Sequence, residues 1–162
     1  MKVAIFVVTV AGIAIGLSLP SAKRQAIAAP GTRAEGKTTR DLPRETVLQR
    51  ENNGHFFTVA DVNGEPIKFV VDTGATEVAL TMNDARRIGL TFDPASFQVV
   101  GVGAGGGLRG AVVELNDVVL DGKRVSGIHA LVIDGLTISL LGQNFLRKLN
   151  TVSISGDTMT LR

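Results

Sequence analysis

The chain has 162 residues, a formal net charge of +2 at pH 7 and no cysteine. This length accommodates one domain of ordinary size and a shorter segment, and the lack of cysteine excludes disulfides and thiolate metal sites. The positive charge lies in residues 1–47, which hold seven Lys/Arg against three Asp/Glu, whereas residues 48–162 hold ten against twelve. Because the later residues form no basic stripe, we expect no nucleic-acid partner.

An uncharged, mostly apolar run occupies residues 3–19 and ends at Pro20. It is short for a membrane-spanning helix and slightly long for a signal-peptide core, so residues 1–20 are predicted to be a membrane anchor or a signal segment. Both remain open, since Ala26-Ile27-Ala28 fits a cleavage site. Residues 21–47 are polar and are predicted to be a flexible linker. We expect a membrane-anchored or exported protein, at the inner membrane with its domain in the periplasm.

Short runs rich in β-branched and aromatic residues, separated by turn signals, fill residues 48–162. His55–Val62 is predicted to be a strand, Asn63-Gly64 a hairpin turn, and Pro66–Val71 the returning strand. Further strands are predicted over residues 77–80, 97–100, 110–120, 125–133, 151–154 and 158–161, and short helices over 82–88 and 143–149. Many short strands with two short helices indicate an all-β domain, closed or sandwiched.

The tripeptide Asp72-Thr73-Gly74 places a carboxylate directly after an apolar strand and occurs once in the chain. A carboxylate in that setting is costly unless neighbouring groups hydrogen-bond it or it takes part in chemistry. Glycine allows the backbone to approach closely, and its amide can bond the carboxylate. An ordinary turn after a strand is the alternative interpretation, because Asp-x-Gly is common in turns.

Two later segments bear on this choice. The glycine-rich stretch Gly101-Val102-Gly103-Ala104-Gly105-Gly106-Gly107 predicts a flexible hairpin tip. Its spacing also fits a dinucleotide-binding fingerprint, but a strand-like run follows it where that fingerprint requires a helix. Further on, Leu140-Leu141-Gly142 leads into a short helix.

Together these segments resemble the aspartic proteases, over about residues 54–162. More narrowly, the chain resembles the single-domain, retroviral-like (retropepsin-type) aspartic proteases of bacteria that carry an N-terminal membrane segment. The resemblance implies a closed retropepsin-like β-barrel with one or two short helices. It also implies roles: Asp72 is catalytic, Thr73, Gly74, Ala75 and Thr76 complete the active-site loop, Gly101 to Gly107 form a flap over the substrate, and Leu141 and Gly142 support the loop. The chain contains no tyrosine, so its flap works as in the tyrosine-free retroviral type.

Aspartic-protease chemistry needs two carboxylates that share one proton, with one acting as general base toward a water molecule. This chain supplies one such loop, so the resemblance implies an obligate homodimer in which two copies of Asp72 meet on a two-fold axis. Thr73 would brace its counterpart, and the terminal strands would contribute to the interface. No metal or cofactor is implied, and His55 and His129 are interpreted as structural.

The predicted function is therefore an aspartic endopeptidase that acts on an extended peptide. Two alternatives remain: a non-catalytic domain of the same fold that binds a peptide or partner protein, and a structural domain with an incidental turn. Glu77, close after the loop, either biases substrate choice toward basic residues or is simply solvated.

Overall fold

The computed structural model describes residues 42–103 and 105–162. The predicted membrane segment, residues 3–19, and most of the predicted linker lie outside these residues. Within the described part of the chain, no helix has the length and apolar character needed to cross a membrane.

Ten strands account for most of the described residues. They are β1 Thr46–Gln49, β2 Phe57–Val62, β3 Glu65–Val71, β4 Val78–Thr81, β5 Gln98–Gly103, β6 Gly106–Leu120, β7 Lys123–Ile133, β8 Ser139–Leu141, β9 Val152–Ser155 and β10 Thr158–Leu161. The helices are short: α1 spans Met82–Arg87, α2 spans Gln143–Leu146, and Pro94–Ser96 forms a 3₁₀ turn.

The larger sheet closes into a barrel. Its strands follow the order β2-β3-β8-β4-β7-β6-β5, and β2 also pairs with β6 through Asp61 with Val119 and Val62 with Val118. The pairs β3–β8 and β4–β7 are parallel, and the other pairs are antiparallel. The prediction of an all-β, closed retropepsin-like barrel with one or two short helices is confirmed in this arrangement. Strands β1, β10 and β9 form a separate three-stranded sheet.

The barrel interior follows from strand alternation. Ile67, Phe69 and Val71 on β3 point inward, and Ala60 and Val62 on β2 meet them in a single apolar cluster. Because successive side chains point to opposite faces, the other residues of each strand form the outer face. Each large aliphatic or aromatic side chain buried in this way stabilises the fold by about 1.5–3 kcal/mol.

The two predicted hairpin turns have the expected backbone geometry. Asn63 and Gly64 have φ values of 51° and 90°, and Asp121 and Gly122 have 47° and 77°. Positive φ at both central residues defines the type I′ turn, whose twist matches that of the flanking strands.

Several local predictions differ from the structure. Helix α2 ends at Leu146, short of the predicted Leu149, because the Lys148 and Leu149 amides bond to carbonyls three residues back, as in a 3₁₀ turn. Strand β8 was not predicted as a strand. Strand β1 begins at Thr46, inside the predicted linker 21–47, because Thr46 pairs with Leu161 on β10.

The residues before β1 cross the β6–β7 turn and bond to it. Arg44 donates its amide to the Asp121 carbonyl at 2.9 Å. The Lys123 ammonium donates to the Arg44 carbonyl and, at 2.8 Å, to Thr46 Oγ1, which itself donates to the Asp121 carboxylate at 2.5 Å. Lys123 is 7% exposed, and this burial lowers its pKa from the ordinary value of 10.5.

The lowered pKa of Lys123 predicts a pH-dependent stability. Since the unfolded chain holds this proton more tightly, unfolding takes up a proton, and the free energy of unfolding should rise with pH toward the ordinary value of 10.5. Urea unfolding at about pH 7 and about pH 9.5 measures the effect. Over this pH interval, the free energy of unfolding of the wild type should rise relative to that of Lys123→Met. The same pH dependence in both proteins would contradict a lowered pKa for Lys123.

Gly122 should tolerate no side chain at the same turn. A Cβ there would lie 2.4 Å from the Leu42 carbonyl oxygen at a φ of +77°, whereas Gly64 has a φ of +90° and open space. The left-handed φ alone costs an alanine about 1–2 kcal/mol. Gly64→Ala should lose about that much free energy of unfolding in urea. Gly122→Ala should lose more, because the segment around Leu42 that leads into β1 must also move. Equal losses would show that the packing on Leu42 contributes nothing.

Candidate active site

Asp72 lies where β3 leaves the barrel wall. Val71 points into the core, so strand alternation turns Asp72 to the opposite face, where it is half-buried. Its amide donates to the carbonyl of Leu141 at 3.1 Å. This bond continues the parallel pairing of β3 with β8 by one step, so the position of Asp72 is set by the neighbouring strand.

One oxygen of the Asp72 carboxylate is held by the loop itself. The Gly74 amide donates to Asp72 Oδ1 at 2.8 Å. A Cβ at position 74 would lie 3.2 Å from this oxygen, so glycine keeps the approach open. Asp72 Oδ2 accepts no hydrogen bond from the residues that the structure describes. The geometry therefore orients the carboxylate and leaves its second oxygen for another group.

The 72–76 loop is bonded along its length to the start of α2. Gln143 donates its amide to the Ala75 carbonyl at 2.8 Å, and Asn144 donates its amide to the Thr76 carbonyl at 3.0 Å. The Gln143 side chain adds a bond from Nε2 to the Thr73 carbonyl at 2.8 Å. The backbone of the loop is thus supported from one side by the segment after β8.

Gly142 is the point of closest approach between the two segments. A Cβ at this position would lie 2.2 Å from the Glu77 carbonyl oxygen and 3.0 Å from that of Ala75. Only glycine permits this spacing. Leu141, directly before it, is fully buried in the core. The structure therefore places both predicted support residues against the predicted active-site loop.

Sequence reasoning missed the two amide side chains that follow Gly142. Besides the Gln143 bond, Asn144 accepts the Val78 amide on Oδ1 at 3.0 Å and donates from Nδ2 to the His129 carbonyl at 2.7 Å. Asn144 thereby joins β4, β7 and α2. The sequence did show two amide residues at the start of a helix, directly after a glycine. It did not show which groups they bond, because two of those groups, at Thr73 and Val78, lie far away along the chain.

A cleft of about 410 Å³ opens between the 72–76 loop and the glycine hairpin of β5 and β6. Its walls are mainly apolar side chains from the outer face of the barrel. The lining residues are Gly74, Ala75, Thr76, Glu77, Ala79, Val100, Gly101, Val102, Leu108, Leu131, Ile133, Leu136 and Leu140. The cleft borders the predicted active-site loop, and its volume falls in the usual range of ligand-binding pockets.

The predicted flap is the β5–β6 hairpin. Gly101 pairs with Leu108 and Val102 with Gly107, and Gly103 pairs with Gly106, while Ala104 lies outside the described residues. Gly101 and Val102 line the cleft, and Gly103, Gly105, Gly106 and Gly107 form the end of the hairpin beyond it. Val102 is 84% exposed, so the hairpin presents an apolar side chain to solvent at the cleft.

Of the other ionisable residues considered in the sequence analysis, one lies at the cleft and two do not. Glu77 lines the cleft, whereas His55 and His129 are exposed, and His55 stands edge-on to the Phe57 ring at 6.3 Å between centroids. Among the residues that the structure describes, no group of three His, Cys, Asp or Glu side chains is placed to hold a metal ion.

Comparison with known proteins identifies relatives of the whole domain. Residues 58–148 match the family described as gag-polyprotein putative aspartyl protease. The structure is similar to a retropepsin-like aspartic protease from Rickettsia conorii, with 37% identity, a TM-score of 0.61, and coverage of 73% of this chain and 89% of that one. It also shares its fold with the EIAV protease complexed with the inhibitor HBY-793, with 21% identity, a TM-score of 0.50, and coverage of 61% and 91%.

Two curated relatives have no assigned activity. An uncharacterized protein in the cobV 5′ region of a Sinorhizobium species is 39% identical over 137 residues, covering 82% of this chain and 58% of the relative. An uncharacterized protein of Rickettsia prowazekii (strain Madrid E) is 36% identical over 118 residues, covering 72% and 51%. The chain therefore spans about half the length of the curated relatives it matches.

The contact at Gly142 should be intolerant of a single methyl group. Gly142→Ala would push its Cβ against the Glu77 carbonyl, at 2.2 Å, whereas Gly105→Ala meets nothing within 4 Å, and neither glycine has positive φ. Gly142→Ala should lower the free energy of unfolding by about 2 kcal/mol or more through overpacking. Gly105→Ala should stay within about 0.5 kcal/mol of the wild type, as a surface substitution does. Urea unfolding checks both, and a neutral Gly142→Ala would contradict the close approach.

Proposed function

The chain belongs to the gag-polyprotein putative aspartyl protease family, and on that basis we propose that it is an aspartic endopeptidase. In this proposal, two Asp72 carboxylates, one from each protomer of a homodimer, activate a water molecule that hydrolyses a peptide bond. The observation that carries it is the Asp72 carboxylate, which the Gly74 amide orients in a loop that lines an apolar cleft together with the glycine hairpin.

The reaction uses the two carboxylates in opposite protonation states. Close together they cannot both ionise cheaply, so they share one proton, as is general for aspartic proteases. The ionised carboxylate takes a proton from water as the water oxygen bonds to the carbonyl carbon of the peptide. The protonated carboxyl meanwhile donates a hydrogen bond to the carbonyl oxygen. The tetrahedral intermediate then collapses: the C–N bond breaks, and the departing nitrogen takes up the proton that the first carboxylate removed from water, which restores the starting protonation of the pair. No covalent enzyme intermediate forms.

The dimer follows from the number of carboxylates. Asp72-Thr73-Gly74 occurs once, and among the described residues that line the cleft, Glu77 alone carries a carboxylate. Gly74 engages Oδ1 of Asp72 and leaves Oδ2 without a partner among the described residues. A two-fold axis beside this oxygen brings the second Asp72 into place, since an isologous interface juxtaposes identical residues. Exposed Thr73 is positioned to face its counterpart there.

The proposal extends to the location of the enzyme. Residues 3–19 carry no charge, which supports membrane anchoring or export of the protease domain. The substrate would then be a protein or peptide with access to the same compartment.

Mixing subunits tests the shared dyad. Wild type co-refolded with an equal amount of Asp72→Asn should retain about a quarter of its activity per total protein on a peptide library, since only wild-type homodimers hold two ionisable carboxylates. Asp61→Asn, an exposed control on β2, should leave activity unchanged when mixed. Pure Asp72→Asn should be inactive.

Sedimentation before and after mixing checks that dimers form. Residual activity of one half, in linear proportion to the wild-type fraction, would contradict a dyad shared between subunits. Peptide binding by the wild type without any cleavage would favour a binding domain of the same fold.

A further inference from the structure

We propose that the cleft selects peptides with a basic side chain, and that Glu77 is the residue that selects it. This inference rests on the proposed function and specifies its substrate class. It is drawn from the position of Glu77, from the composition of the cleft walls and from the observation that the Glu77 carboxylate forms no ion pair with any residue that the structure describes.

Glu77 lies at the cleft, directly before β4. Val78, the next residue, is 0% exposed and packs in the core. Glu77 and Ala79, on either side of it, both line the cleft. Glu77 is half-buried there, and the 72–76 loop lies directly before it.

The backbone around Glu77 is fixed on both sides. The Thr76 carbonyl accepts the Asn144 amide at 3.0 Å, and the Val78 amide donates to Asn144 Oδ1 at 3.0 Å. The Glu77 carbonyl lies against Gly142, as described above. A side chain rooted in a rigid segment loses less entropy when it binds a ligand, which favours discrimination between ligands.

Glu77 is the one ionisable residue among those that line the cleft. Leu108, Leu131 and Leu140 also line the cleft. Within residues 42–103 and 105–162, its carboxylate forms no ion pair, although five other ion pairs are present. A charge of this kind, next to apolar walls, faces the space that a substrate would fill.

The chemistry of such a site fits lysine or arginine. Their aliphatic stems can pack on leucine side chains while the cationic group reaches the carboxylate. As the substrate displaces water, a charge-assisted hydrogen bond forms in a less polar environment than bulk solvent. A neutral side chain would desolvate Glu77 without compensation, and an acidic one would repel it.

The test compares peptides that differ at one position. A positional-scanning library carries lysine, its neutral analogue norleucine, or glutamate at each position around the scissile bond. At one position, wild type should prefer lysine over norleucine by roughly tenfold or more in kcat/KM, corresponding to one charge-assisted hydrogen bond. Glu77→Gln, which keeps the shape of the side chain, should abolish this preference while still cleaving the norleucine peptide.

Two further variants sharpen the comparison. Glu77→Lys should reverse the preference toward glutamate at the same position. Glu114→Gln removes an exposed glutamate of β6 that does not line the cleft, and it should keep the preference of the wild type. An unchanged lysine preference in Glu77→Gln, or no preference in the wild type, would overturn the inference while leaving the protease proposal intact.

A binding measurement separates this inference from catalysis. The same lysine and norleucine peptides are titrated into Asp72→Asn and into Asp72→Asn with Glu77→Gln, with fluorescence anisotropy as the readout. Roughly tenfold tighter binding of the lysine peptide, lost on the second substitution, supports the inference even if the wild type cleaves nothing. Equal affinities for both peptides would overturn it.

Discussion

The contact between the 72–76 loop and Gly142 is the constraint on which the candidate site depends. Two stretches of irregular backbone approach so closely that a single methyl group would lie 2.2 Å from a carbonyl oxygen. Their amides and carbonyls would be costly to bury unpaired, and each segment supplies partners for the other. The Asp72 amide, the Ala75 carbonyl and the Thr76 carbonyl are all satisfied in this way. The loop that presents the carboxylate is therefore rigid without any helix or strand of its own.

This arrangement positions both Asp72, the proposed catalytic residue, and Glu77, the proposed substrate-selecting residue. The parallel pairing of β3 with β8 sets the height of Asp72 above the barrel, and the Gly74 amide sets the rotation of its carboxylate. Preorganised groups of this kind need not be reordered during a reaction. The same bonds through Asn144 fix the segment that carries Glu77. Catalytic geometry and substrate selection would thus share one support, so substitutions in α2 should affect both.

Opposite the loop, the glycine hairpin has far fewer buried contacts. Its arms pair up to Gly103 and Gly106, with one register shift between Val99 and Gly101, and its residues are largely exposed and contribute little apolar burial. Segments with few buried contacts open at low free-energy cost. Under the proposed function, this rigid loop and loosely attached hairpin would suit a cleft that admits an extended peptide and then excludes water. Because the chain belongs to an aspartyl protease family, we interpret the rigid loop as the part that holds the carboxylate and the hairpin as the part that opens to a peptide.

Residues only a few positions apart determined the hairpins at Asn63-Gly64 and Asp121-Gly122 and the start of α1 after Thr81, whose hydroxyl accepts the Asp84 amide. The apolar run before Asp72 indicated a carboxylate at a strand end, and the bond to Leu141 fixed its position. The all-β class and the family resemblance followed from the same signals. The tertiary structure decided strand β8, the amide bonds of Gln143 and Asn144, and the position of Glu77 at the cleft. Those side-chain bonds join residues 70 and 66 positions apart. Neither periodicity nor turn signals report such pairings, because only closure of the barrel brings the two segments together.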